Sequence, residues 1–147
     1  MTLENLKNLL EKENYTCVIS DGALSFTSYA RGVKPLVGFL ESGNIPTGCF
    51  AADKVVGKAT ALIYVLLKIR RLYAKVVSEP ALALLTAHRI EVTYETLVPN
   101  IRSRAGDGIC PFEQAVLGVE DLRIAYATIK NKMQEMGISL NGEGEKI

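Results

Sequence analysis

TGCFAADKVVGK, residues 47–58, joins a few β-forming residues to an apolar segment that runs on through Ile69. Thr47 to Phe50 suits a short strand, and Ala51-Ala52-Asp53 leads into a run from Lys54 to Ile69 whose apolar positions cover most of a helical circumference. This predicts a helix buried on most sides, with Asp53 as its N-terminal cap. Lys54 and Lys58, four apart, then share one helix face, and Gly57 permits close approach of a backbone or a ligand. Working outward, YTCVIS and ALSFTSY flank Asp21-Gly22, a strong signal for a two-residue antiparallel hairpin. Leu3, Leu6, Leu9 and Leu10 make residues 2–13 an amphipathic helix capped by Thr2. Pro35 opens a short helix that Ser42-Gly43-Asn44 ends. Downstream, Leu72 to Val77 is a strand, Ser78-Glu79-Pro80 starts a helix to Ala87, and Val92 to Leu97 is another strand. Pro99 to Gly108 is a loop, Cys110-Pro111-Phe112-Glu113 opens a helix, and Asp121 or Glu120 caps the last helix, Leu122 to Met136.

The order α-β-β-α-(β)-α-β-α-β-α-α predicts an α/β fold, a three-layer α-β-α sandwich around a mixed sheet of four to five strands. At 147 residues the chain suits one domain, expected over 1–140 with a polar tail at 141–147. Lys+Arg exceed Asp+Glu by one, so no global field steers the chain to nucleic acid or an anionic membrane. No signal-peptide pattern opens the sequence, and the run Ala59 to Leu67 is far short of the roughly 20 residues a bilayer requires. Three cysteines with no C-x-x-C pair fit a reducing compartment, and the expected location is the cytoplasm.

Two strand-to-helix junctions carry the candidate chemistry, because helix N-termini favour anions and thiolates. The first holds Cys49, Asp53, Lys54 and Lys58; the second holds Asp107, Cys110 and Glu113, with Arg104 just upstream as a clamp for a carboxylate or phosphate. Asp53, Cys110 and Glu113 are the candidate catalytic residues, and Cys49, Lys54, Lys58, Arg104 and Asp107 the candidate ligand-binding ones. Gly57-Lys58 is followed by Ala59 at the wrong spacing for a phosphate loop. Lys68, Arg70 and Arg71 complement a helix C-terminus, and His88 likewise follows a helix. Cys17, among apolar neighbours, is expected in the core.

The stretches GCFAADKVVGKA and GICPFEQAV, together with the element order, resemble an uncharacterised bacterial domain-of-unknown-function family of the cytidine-deaminase-like superfamily, over about residues 3 to 136. Zinc enzymes of that superfamily carry H-x-E at the start of one core helix and P-C-x-x-C at the start of the next. Here Cys49, Ala51 and Asp53 stand at the first junction, Ile109 precedes Cys110, and Glu113 replaces the second cysteine. The standard zinc set is absent, and one thiolate with two carboxylates is an uncommon alternative. The resemblance therefore implies a deaminase-like domain that lacks the standard zinc-ligand set and binds a small anionic or nucleotide-like ligand at the starts of two core helices, with a non-standard zinc site at Asp53, Cys110 and Glu113 left open. The alternative is a divergent hydrolase or transferase with Cys110 as nucleophile or metal ligand, for which Glu113, Asp53 or a lysine is the available base. Association of copies through the core helices rests on fold analogy.

Overall fold

The computed structural model describes residues 2–30, 32–103, 106 and 108–138. The expected tail at 141–147, Arg104 and Asp107 lie outside them.

The elements follow the expected order: α1 (Leu3–Lys12), β1 (Cys17–Ser20), β2 (Ser25–Ser28), α2 (Lys34–Ser42), β3 (Phe50–Val56), α3 (Lys58–Leu66), β4 (Arg71–Ser78), α4 (Glu79–Ala87), β5 (Glu91–Val98), α5 (Pro111–Val116) and α6 (Leu122–Glu135). Thr2, Ser78 and Asp121 each accept a backbone N–H in the first turn of the helix they cap, as their side chains favour. α2 ends on Gly43 in the left-handed region, φ 69°, which glycine reaches without a Cβ penalty.

Five strands form one open mixed sheet in the order β2-β1-β3-β4-β5. β1 runs antiparallel to both β2 and β3, while β3, β4 and β5 are parallel. The parallel connections β3-α3-β4 and β4-α4-β5 step in one direction, so right-handed crossovers carry α3 and α4 to the same face. That face holds the larger core, where Ile19, Ala51, Leu72 and Ala74 meet Leu62, Ile63, Leu85, Val116 and Ile129. α1 packs on the opposite face, its Leu6 and Leu10 against Val18, Ala52 and Tyr73.

Two local expectations are corrected. The hairpin turn is not a two-residue Asp-Gly turn: Ser20 pairs with Ser25, and the Asp21 carboxylate folds the four residues between by accepting the N–H of Ala23 and of Leu24. More consequentially, residues 54–56 continue β3 and do not begin a helix; Gly57 caps α3, which starts at Lys58. Asp53 is thus an interior residue of a central strand, paired with Cys17 on β1 and Ala74 on β4, and caps nothing. Lys54 and Lys58 lie on different elements and share no helix face. A strand covered on both faces and a helix surrounded by other helices both read as unbroken apolar sequence, so periodicity does not separate them.

Candidate functional site

The starts of α2, α3 and α5 come together around a cavity of about 1260 Å³ beside the β1–β3 edge of the larger core. Cys17, Asp53, Ala59 and Thr60 contribute to its wall from the sheet and from the first turn of α3. Ile101, Cys110, Phe112 and Glu113 contribute from the segment after β5, and Tyr29, Lys34, Lys54 and Arg102 add an aromatic ring and three cations.

Asp53 is 8% exposed. Its Oδ2 accepts the hydroxyl of Tyr64 at 2.6 Å, and its Oδ1 accepts the N–H of Val55 at 3.1 Å. No cation among the described residues forms a salt bridge with it. Burial pushes its pKa up to about 7, against the opposing pull of the Tyr64 hydroxyl and of the Val55 and Lys54 backbone N–H groups. Burial also raises the neighbouring Cys17 thiol and the Tyr64 phenol, and the Asp53 charge raises both further. A carboxyl of this kind is poised near neutral pH to donate or accept a hydrogen bond, or to move a proton.

Glu113 has a different task. Its Oε2 accepts the backbone N–H of Lys58 at 2.9 Å and the Ser78 hydroxyl at 2.6 Å, and its Oε1 accepts the N–H of Ile101. The carboxylate thereby occupies the positive end of α3 and bonds the residue that caps α4. Gly57 makes this contact possible, since a Cβ there would lie 3.0 Å from Ile101 Cγ1 and 3.3 Å from Glu113 Oε2. The close approach expected at Gly57 is therefore that of an internal carboxylate.

The candidate residues separate into groups. Asp53, Lys54, Cys110 and Glu113 border one cavity. Lys54 donates to the side chain of Asn14 at its margin. The Lys58 side chain is withdrawn, donating to the carbonyls of Leu117 at 2.9 Å and Val119 at 3.4 Å just after α5. Cys49 is buried at the approach to β3, donates to the Pro46 carbonyl and does not border the cavity. Cys17 is buried as expected, yet it also borders the cavity beside Asp53. Among the described residues no group of three His, Cys, Asp or Glu side chains is placed to hold a metal ion.

Tyr64, Thr60 and Ser78 were missed as site residues. The signal for the first two was present, because a tyrosine and a threonine inside a nearly uninterrupted apolar run each carry a hydroxyl that needs a partner. Ser78 was legible as a cap, but its bond to Glu113 joins residues 35 positions apart.

Comparison with known proteins gives one family. The model of the family described as TM1506, domain of unknown function DUF1893, matches residues 5–133. Among solved structures, the crystal structure of a DUF1893 family protein from Thermotoga maritima is similar over 88% of this chain and 88% of its own, at 29% identity and a TM-score of 0.82. No curated protein matches the chain.

Proposed function

The chain belongs to the DUF1893 family, and on that premise we propose that it is a single, deaminase-like three-layer domain that binds a small nucleotide-like molecule without zinc chemistry. The observation that carries this reading is a cavity with a buried, near-neutral carboxyl at its wall and lysine and arginine side chains around it. Sites of this kind, concave and mostly apolar with a few convergent polar groups, are where small ligands bind. Lys34, Lys54 and Arg102 suit an anionic portion of the ligand, and the Asp53 side suits a neutral polar portion.

The sheet order and the paired helix starts support the deaminase-like assignment, which implies H-x-E and P-C-x-x-C at such starts. Here α3 begins Gly57-Lys58-Ala59-Thr60 and α5 begins after Cys110 with Pro111-Phe112-Glu113, which supply a single thiol and no histidine. Cys110 as a nucleophile has weaker support, because Glu113, a carboxylate three residues on, is engaged with Lys58, Ser78 and Ile101.

The test is a thermal-shift and native mass-spectrometry panel of nucleosides, nucleoside monophosphates and free phosphate, run on the wild type and on Val55→Trp. Val55 is 46% exposed and borders the cavity, so a larger ring fits the strand while filling the space a ligand would take. A nucleoside monophosphate that raises the wild-type Tm and binds at one equivalent, with both effects lost in Val55→Trp, supports the reading. No binding by any member, or binding unaffected by Val55→Trp, refutes it.

A further inference from the structure

The polar groups along the inner wall of the cavity differ in whether the protein already satisfies them. Glu113 is saturated by Lys58, Ser78 and Ile101, and Lys54 is engaged with Asn14. Thr60 is 7% exposed and borders the cavity, and its hydroxyl has no hydrogen-bond partner among the described residues. Thr60 Oγ1 is thus not sealed inside the protein but open to the cavity space, where a ligand atom can bond it. Thr60 lies one helical turn before Tyr64, on the same face of α3, and Tyr64 is the residue that holds Asp53. Asp53 from β3 and Ala59 and Thr60 from the first turn of α3 all border the cavity.

We propose that this side of the cavity recognises a neutral amide, its N–H donating to the Asp53 carboxyl and its carbonyl oxygen accepting from the Thr60 hydroxyl and the adjoining first turn of α3. The inference rests on the small-molecule reading above and names the part of the ligand held at this wall. Three considerations select a neutral amide. A carboxylate, Glu113, already occupies the Lys58 N–H at the start of α3, so a second anion there would meet like charge, whereas a carbonyl oxygen does not. Burial favours the uncharged form of Asp53 up to about pH 7, which matches an uncharged partner better than a cation. Each Asp53 oxygen takes one donor from the protein, and in the uncharged form the oxygen without the proton has capacity for a second.

The probes are 2-pyridone, its N-methyl analogue lacking the N–H, and piperidinium as a cation. Each is titrated to millimolar concentration into the full chain and followed by the amide NMR signals of Val55, Ala59 and Thr60. The expected result is that 2-pyridone moves these signals and the N-methyl analogue binds at least tenfold more weakly, the loss of one hydrogen bond of ordinary strength. Thr60→Val, with otherwise unchanged amide dispersion, should weaken 2-pyridone about tenfold. Equal binding of the N-methyl analogue, stronger binding of piperidinium at the same signals, or no response to 2-pyridone overturns the assignment. If 2-pyridone fails while a nucleoside monophosphate still binds in a manner sensitive to Val55→Trp, the amide assignment falls and the cavity reading stands. If neither binds, both fall.

Discussion

Replacing Asp53 by asparagine should make the protein more stable relative to wild type the higher the pH. The Asp53 carboxyl has a pKa of about 7 in the folded chain, against about 3.9 for an unfolded aspartate. For an acid whose pKa folding raises, the folded state holds the proton over a range where the unfolded state has lost it. The associated stability is full below about pH 4 and is lost as pH rises through about 7. A difference of roughly 3 units at 1.36 kcal/mol each sets that loss at about 4 kcal/mol, of which about 2–3 kcal/mol falls between pH 5 and pH 8. Asparagine does not titrate and keeps nearly the same volume. It retains an oxygen for one of the two donors, and the Tyr64 hydroxyl can reverse to accept from its amide, so the pH-independent cost is about 1 kcal/mol. The Cys17 thiol and Tyr64 phenol are both pushed upward and stay neutral across this window, so they do not mask the effect. Urea unfolding of both proteins at half-unit intervals from pH 5 to 8 gives the difference directly, and other titrating groups cancel in it. The variant should gain about 2–3 kcal/mol on wild type across the interval, about 5–10 °C in Tm for a chain of this size. A difference constant with pH, or one that narrows as pH rises, would refute the buried-acid assignment.

Tyr64→Phe removes the donor that opposes the upward shift of Asp53, so it should destabilise by about 1–3 kcal/mol and more at pH 8 than at pH 5; a pH-independent loss in urea unfolding counts against the pairing. Glu113→Gln turns one acceptor oxygen toward a backbone or hydroxyl donor as an N–H, and should cost about 2 kcal/mol, read as a lower urea midpoint at unchanged slope. Gly57→Ala places a methyl 3.0 Å from Ile101 Cγ1 and should cost about 1–3 kcal/mol through displaced packing; a change under about 0.5 kcal/mol would show that the segment at Ile101 yields freely.

The parts of the fold set by local chemistry were legible in the sequence. Thr2, Ser78 and Asp121 announce helix starts through their own side chains, and Gly43 announces an end, because capping is an interaction between near neighbours. The boundary between β3 and α3 was not, and the reason is burial. Val55-Val56 in a central parallel strand and Ala61-Leu62-Ile63 in an enclosed helix are both apolar without a repeating polar side, so only Gly57 marks the break. That error carried into the site. As a cap Asp53 would be solvated and acidic, whereas in mid-strand it is buried and near neutral. The tasks of Glu113 and Lys58 were hidden for another reason, since each involves a partner 55 or more residues away that only the tertiary structure brings near.

The account turns on Asp53 being a buried acid facing a ligand cavity. The most direct measurement is the carboxyl carbon shift of Asp53 followed by NMR from pH 4 to 9, with and without the nucleoside monophosphate that best raises Tm. The account predicts a midpoint near pH 7 in the free protein that moves when the ligand is added. A midpoint near pH 4, unchanged by any ligand that binds the chain, would contradict it.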